Sequence, residues 1–149
     1  AGLETPFTAT VICAADARGL EEAESFAVSE GEKFRVLPLG DIVPLMAAAD
    51  LALCAGGTTA LELASLGIPM VLVTVADNQE PGAAALDRTG CARLAGAGAS
   101  RLAAATEIID AFLRDWTARE AMGKKGKTMV DGRGVERIAE AMQAQQRQK

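Results

Sequence analysis

The stretch that decides the fold lies between residues 49 and 79. Residues 49–62 read Ala-Asp-Leu-Ala-Leu-Cys-Ala-Gly-Gly-Thr-Thr-Ala-Leu-Glu, and residues 66–79 read Leu-Gly-Ile-Pro-Met-Val-Leu-Val-Thr-Val-Ala-Asp-Asn-Gln. Two apolar runs, Leu51–Ala55 and Met70–Ala76, predict buried strands. The first strand ends in Gly-Gly before a predicted helix, and the second ends in Asp-Asn-Gln. Because the carboxyl ends of parallel strands meet at one edge of a sheet, these endings predict a ligand cleft there.

The Gly56-Gly57 turn predicts an anion site. A helix that opens at Thr58-Thr59 leaves its first backbone N–H groups unpaired and directs the positive end of its dipole toward a ligand. A tight strand-to-helix turn uses the same geometry without a ligand, so that alternative stays open. Glu62, three residues after Thr59, also fits a capping box.

The polar endings that flank this turn have structural alternatives too. Residues 77–79 fit an ordinary helix start in which Asp77 or Asn78 is the cap. Asp16 and Arg18 follow an earlier strand and can line the cleft, although a helix cap and an exposed side chain are the simpler interpretations. Arg133, in a predicted turn at residues 131–134, can bind phosphate or pair with a nearby acid.

Strand and helix alternate along the first two thirds of the chain. This order predicts an α/β fold, a doubly wound parallel sheet of about five strands followed by a C-terminal helical cap. Residues 1–149 are expected to form one domain. The predicted strands are Thr8–Cys13, Phe34–Leu39, Leu51–Ala55, Met70–Ala76 and Cys91–Leu94. The predicted helices cover residues 16–30, 42–49, 58–66 and 79–88, with three more after Ser100.

Composition excludes several classes of protein. The chain has 149 residues, a net charge of −5 and only 3% aromatic residues, which argues against a nucleic-acid binder. No apolar run approaches the roughly 20 residues of a membrane span. The three cysteines, Cys13, Cys54 and Cys91, are dispersed, which favours a reducing cytoplasm over a disulfide framework. The chain lacks histidine, the commonest general base. We expect neither a metal nor a cofactor, and we expect the basic residues 124–127 to form a solvated helix face.

Residues 48–79 resemble the C-terminal domain of GT-B nucleotide-sugar enzymes, which has a Rossmann-like fold. The similarity lies in the Gly-Gly-Thr-Thr…Glu stretch, in Leu-Gly-Ile-Pro and in Ala-Asp-Asn-Gln. It points first to the UDP-sugar hydrolases of pseudaminic-acid (nonulosonic acid) synthesis and to spore-coat polysaccharide proteins. The lipid-linked N-acetylglucosaminyl transferases of peptidoglycan synthesis are a more distant resemblance. Residues 129–137 are also similar to the closing motif of the hydrolase group.

The resemblance implies a site for a UDP-sugar. In the family the diphosphate is held by the residues that correspond to Gly56, Gly57, Thr58 and Thr59, and Glu62 would accept hydrogen bonds from the ribose. Asn78 and Gln79 would contact the sugar or the attacking water. Asn78 would be catalytic together with a histidine from an N-terminal domain that this sequence does not contain.

The resemblance also implies that the first strand–turn–helix unit of the GT-B C-terminal domain is missing, so the sequence is expected to be a fragment or a trimmed fold. Unpaired strand edges would then favour a homo-oligomer. Three hypotheses remain. The chain is the UDP-sugar-binding half of a hydrolase or glycosyltransferase of bacterial surface-glycan synthesis, and by itself inactive, or it is a non-catalytic nucleotide-binding or assembly module. The third is a different doubly wound protein that binds another phosphorylated ligand.

Overall fold

The computed structural model describes residues 3, 5–96, 98 and 100–147, in which five parallel strands alternate with α-helices and three further helices follow the last strand. The strands are β1 (Ala9–Cys13), β2 (Phe34–Pro38), β3 (Ala52–Ala55), β4 (Met70–Val73) and β5 (Arg93–Leu94). The helices are α1 (Leu20–Glu30), α2 (Val43–Ala47), α3 (Thr58–Leu66), α4 (Glu80–Thr89), α5 (Arg101–Arg114), α6 (Trp116–Met129) and α7 (Gly134–Gln146). The α/β fold class with a C-terminal group of helices is confirmed.

The five strands are divided between two sheets rather than joined in one. β1 pairs with β2 in a two-stranded sheet, and β3, β4 and β5 follow each other in a three-stranded sheet. All the pairings are parallel. Within the described residues, β1 and β3 therefore each pair with one strand only. Self-association through these edges stays a prediction.

The chain divides into two compact units, residues 1–45 and residues 46–149. In the first unit, α1 packs against β2. The ring of Phe34 meets the edges of Phe7 and Phe26, with centroids 5.5 and 5.0 Å apart. These edge-to-face contacts are favourable for aromatic pairs, so three of the chain's few rings stabilise this small unit.

In the second unit the core is built around β4. Met70, Val71 and Leu72 are fully buried because β4 lies between β3 and β5 and because α5 packs against it. Small residues fill the helix positions nearest to the core, which lets helices approach the sheet closely. These positions are Ala60, Ala64, Ala83 and Ala105.

The contact between α3 and α6 depends on two glycines of α6. A Cβ at Gly123 would overlap the carbonyl oxygen of Gly67, and a Cβ at Gly126 would lie 2.8 Å from the carbonyl oxygen of Ala64. Real Cβ atoms do not approach oxygen this closely. The absence of side chains at both positions is therefore what lets the two helices touch.

The basic residues 124–127 lie on α6, as predicted, and two of them cover helix ends. The aliphatic stem of Lys127 packs over Gly67, which ends α3 with a φ of 76°. Lys125 likewise covers Gly90, which ends α4 with a φ of 76°. A cation at a helix C-terminus is favourable because it meets the negative end of the dipole. This cluster therefore has a structural role.

Most helix starts differ from the predicted caps. α1 begins after Gly19, so Asp16 does not cap it. Ser100 precedes α5, but its side chain makes no capping bond. Asp115 caps α6 by accepting a hydrogen bond of 2.9 Å from the N–H of Ala118.

A thioether accepts the first backbone hydrogen bond of β4. The N–H of Met70 donates to Sδ of Met122 on α6 over 3.2 Å, and both residues are buried. A Met122→Leu substitution keeps the volume but leaves this N–H without an acceptor. We expect it to lower the free energy of unfolding by about 1–3 kcal/mol. Urea denaturation measures the change. A Met46→Leu variant is the control, since the buried Met46 makes no such bond within the described residues, and equal losses in the two variants would contradict this role.

Candidate functional site

The carboxyl ends of β3 and β4 bring the two predicted loops together. Ala55 lies opposite Val73 in the parallel ladder, and the N–H of Gly56 extends it by donating to Val73 over 3.1 Å. A Cβ at Gly56 would lie 3.5 Å from the carbonyl oxygen of Gln79. The Gly-Gly loop and the Asp-Asn-Gln loop therefore meet at one edge of the sheet, as the sequence predicts. We call this edge, formed by residues 55–59 and 74–79, the rim.

The Gly-Gly turn also approaches α4 closely. A Cβ at Gly56 would lie 2.8 Å from the Cβ of Ala83, so only glycine fits here without a shift. Gly57, the residue before α3, has an extended backbone with φ −101° and ψ −157°. A Cβ at Gly57 would meet nothing within 4 Å. The first glycine is thus required by packing, and the second leaves open space next to the helix start.

The start of α3 offers unpaired donors. No side chain caps this helix, and the N–H groups of Thr58 and Thr59 have no intrahelical acceptor because they lie in its first turn. Within the described part of the chain, neither N–H donates elsewhere, whereas the N–H of Ala60 reaches the carbonyl of Gly57 over 3.2 Å. Two backbone donors and the positive dipole end therefore face open space at the rim.

Glu62 takes no part in a capping box. α3 begins at Thr58, so Glu62 lies beyond the first turn, and no side-chain cap bond forms with Thr59. Glu62 is exposed. It shares a face of α3 with Thr58, because residues four apart are neighbours on a helix. Its carboxylate is therefore available to a ligand that also reaches the N–H groups of the first turn.

The second loop is held by Gln79. The N–H of Val75 donates to Oε1 of Gln79 over 3.1 Å, and the N–H of Gln79 donates to the carbonyl of Ala76 over 3.0 Å. β4 ends at Val73 rather than at the predicted Ala76, because β3 ends opposite Val73 and the N–H of Val75 bonds to the side chain of Gln79 instead of to a strand. Residues 77–79 form a short 3-10 helix without a side-chain cap. The exposed Asn78 lies in this helix, next to the half-buried Gln79.

Residues outside the rim supply little chemistry to it. Cys54 lies on β3, and burial raises the pKa of its thiol to about 11, so it is not a nucleophile at neutral pH. All three cysteines are free. Among the described residues, no group of three or more Cys, Asp or Glu side chains could hold a metal ion.

Two cavities lie outside this rim. One, of about 290 Å³, is lined by Asp50 and Pro69, which precede β3 and β4, and by Trp116 and Lys124 of α6. It is therefore at the opposite end of the strands from the rim. The other, of about 460 Å³, belongs to the first unit and is lined by residues 15–22, which include Asp16 and Arg18.

Arg133 lies in an exposed turn and pairs with acids, which confirms the structural interpretation. Its Nε donates to Glu136 over 2.7 Å, and Arg137 donates to Asp131 over 2.7 Å. The Arg137 side chain and the backbone N–H of Arg133 lower the pKa of Asp131 from 3.8 to about 2. These charges fix the start of α7.

A parallel α/β domain with an uncapped helix start at the carboxyl edge of its strands is the architecture of Rossmann-like nucleotide-binding domains. Residues 7–131 match the Glycosyltransferase family 28 C-terminal domain. The chain therefore belongs to this family of GT-B glycosyltransferase domains. No helix among the described residues is long and apolar enough to span a membrane.

Similar proteins are transferases that are longer than this chain. The UDP-N-acetylglucosamine--N-acetylmuramyl-(pentapeptide) pyrophosphoryl-undecaprenol N-acetylglucosamine transferase of Acetivibrio thermocellus is 35% identical over 111 residues, which cover 70% of the chain and 30% of that protein. The chain thus spans about a third of its relative's length. The expected first resemblance to the pseudaminic-acid hydrolases and spore-coat proteins is not supported, because the matched proteins are glycosyltransferases.

Two solved structures share the fold. The crystal structure of MurG from Acinetobacter baumannii has a TM-score of 0.71 at 19% identity and covers 92% of the chain and 42% of that protein. The structure of WaaG, a glycosyltransferase involved in lipopolysaccharide biosynthesis, has a TM-score of 0.65 at 22% identity and covers 83% of the chain and 34% of that protein. Both likenesses confirm the architecture.

Proposed function

We propose that the chain is the nucleotide-sugar-binding half of a GT-B glycosyltransferase of bacterial cell-envelope synthesis, with a UDP-sugar as ligand. The observation that carries the proposal is the rim, where the uncapped start of α3 lies beside the loop that presents Asn78. Membership of family 28 and the 35% identity to a UDP-N-acetylglucosamine-dependent enzyme support the choice of ligand. A second domain would supply the acceptor site and the general base.

The residues at and next to the rim have separate roles in this proposal. The backbone N–H groups of Thr58 and Thr59 hold the diphosphate, which passes beside Gly56 and Gly57, since donors at a helix start suit anions. Glu62 accepts hydrogen bonds from the ribose hydroxyls, because a carboxylate carries two acceptor oxygens. Asn78 contacts the sugar, with Gln79 beside it. Charge that develops on the diphosphate as the anomeric bond breaks is stabilised by the same donors.

We expect Glu62→Ala to weaken UDP binding about tenfold. A hydrogen bond to a charged group contributes about 1.5–3 kcal/mol, and the exposure of Glu62 favours the low end of that range. Titration calorimetry with UDP measures the loss. Glu107→Ala is the matched control, because Glu107 is also an exposed helical carboxylate but lies on α5.

Titration with a second ligand, 2′-deoxy-UDP, tests whether Glu62 contacts the ribose. If Glu62 binds the ribose, the unmodified chain should prefer UDP to 2′-deoxy-UDP, and Glu62→Ala should lose that preference. Equal UDP affinity in the two proteins would remove Glu62 from the site. Absence of UDP binding by the unmodified chain would contradict the proposed function itself. If the full enzyme hydrolyses a UDP-sugar without any acceptor, the transferase assignment fails while the binding site stands.

A further inference from the structure

We propose that Gln79 is a positioning residue, whose side-chain carbonyl fixes the loop that presents Asn78. This inference rests on the proposed function, in which Asn78 contacts the sugar. The chemistry of the hydrogen bond sets the orientation of the amide. A backbone N–H can only donate, so the atom 3.1 Å from the N–H of Val75 must be Oε1 of Gln79. The carbonyl of the side chain is therefore already engaged before any ligand arrives.

The bond spans the segment whose shape matters for the sugar. Val75 is the second residue after β4, and Gln79 is the last residue before α4. The bond between them closes residues 75–79 into a compact turn, within which the N–H of Gln79 also bonds to Ala76. Asn78 lies inside this turn and is exposed. Its direction therefore depends on the closure of the turn.

Gln79 also links this turn to the diphosphate loop. Its backbone oxygen and its Cβ lie 3.5 and 3.6 Å from the position that a Cβ at Gly56 would occupy. The base of the side chain thus packs against the first glycine while its tip holds Val75. The amide nitrogen, which can only donate, and the second lone pair of Oε1 are left to meet a ligand.

Two substitutions separate positioning from direct contact. Gln79→Glu keeps an oxygen that can accept from the N–H of Val75 but lacks the amide donor. Gln79→Met has a similar length, lacks the amide donor and offers the N–H of Val75 only a thioether, which is a weaker acceptor. If Gln79 acts by closing the turn at residues 75–79, Gln79→Glu should keep the Val75 exchange rate and the sugar affinity of the unmodified chain. Gln79→Met should change both.

The first readout needs no ligand. Amide hydrogen exchange of Val75, followed by NMR on the unliganded chain, should be roughly 2- to 10-fold faster in Gln79→Met, because one modest hydrogen bond is lost. In Gln79→Glu it should stay close to the rate of the unmodified chain. Equal exchange in all three proteins would overturn the inference whatever the ligand does.

The second readout is the affinity that the sugar adds, measured as the Kd for UDP divided by the Kd for UDP-N-acetylglucosamine. UDP and UDP-N-acetylglucosamine both carry the diphosphate. A glutamate at position 79 repels this group in both ligands, so the effect of its charge largely cancels in the ratio of the two Kd values. We expect Gln79→Glu to keep the ratio within about threefold and Gln79→Met to lose most of it. In an Asn78→Ala background, Gln79→Met should change the ratio little, since coupled residues are not additive.

The outcomes distinguish this inference from the proposed function. Equal loss of the ratio in the Glu and Met variants would show that the amide donor touches the sugar directly, which overturns positioning. If the unmodified chain binds UDP but gains nothing from the sugar, the sugar site at Asn78 fails and the positioning role fails with it. If the chain does not bind UDP, the proposed function fails, while Val75 exchange still reports whether Gln79 fixes the turn.

Discussion

A Thr58→Pro variant should fold normally and bind UDP roughly 10- to 150-fold more weakly, since loss of one hydrogen bond to a charged group costs about 1.5–3 kcal/mol. Thr58 is the first residue of α3, a position where proline is favoured because its missing N–H has no intrahelical acceptor. The extended glycine before it is compatible with a following proline. The substitution therefore removes one donor from the proposed diphosphate site without breaking the helix. Titration calorimetry measures affinity, and thermal denaturation verifies the fold.

Thr58→Ala is the matched control for this experiment. It removes the hydroxyl but keeps the backbone N–H, so its loss of UDP affinity should be clearly smaller. If Thr58→Pro folds and binds UDP as well as the unmodified chain does, the N–H of Thr58 does not reach the diphosphate. A Pro variant that binds no worse than the Ala variant would likewise favour a site built by side chains alone.

A Gly123→Ala variant should be less stable than the unmodified chain by about 2 kcal/mol. The added Cβ would overlap the carbonyl oxygen of Gly67, a backbone atom that can move only if α3 moves. Overpacking typically costs about 1–3 kcal/mol, and this cost exceeds the gain of up to about 1 kcal/mol from replacing a helical glycine. Urea denaturation measures the difference.

Gly82→Ala separates packing from helix propensity. Gly82 lies within α4, and a Cβ there would meet nothing within 4 Å. This variant should therefore gain about 0.5–1 kcal/mol, the helix preference alone. If Gly123→Ala is stabilising to the same extent, the close contact between α3 and α6 is not maintained in solution.

The sequence predicts most of the fold because its apolar runs and glycines are unambiguous. α3 was predicted at residues 58–66 and is found there, since Gly57 and Gly67 bound it on both sides. The end of β4 was placed three residues too late. Val75 and Ala76 continue the apolar run, but β3 ends opposite Val73, and the N–H of Val75 donates to the side chain of Gln79 instead of to a strand. A contact of this kind leaves no signature in hydrophobic periodicity.

The candidate site was predictable in its position but not in its internal bonds. Parallel strands place the Gly-Gly and Asp-Asn-Gln endings at one edge, and this geometry follows from the strand order alone. The spacing of Thr59 and Glu62 suggests a capping box that does not form, because the helix starts two residues earlier than that motif requires. The roles of Gly56, Gly57, Thr58, Thr59, Glu62, Asn78 and Gln79 toward a ligand stay predictions.

The contact between Gly56 and Ala83 has a thermodynamic consequence for ligand recognition. Because the turn rests directly on α4, the donors at the start of α3 are held in place before a nucleotide arrives. A preorganised loop loses little conformational entropy on association. Calorimetry should accordingly show only a small ordering penalty, and any larger entropic cost would have to come from the ligand or from closure of a second domain.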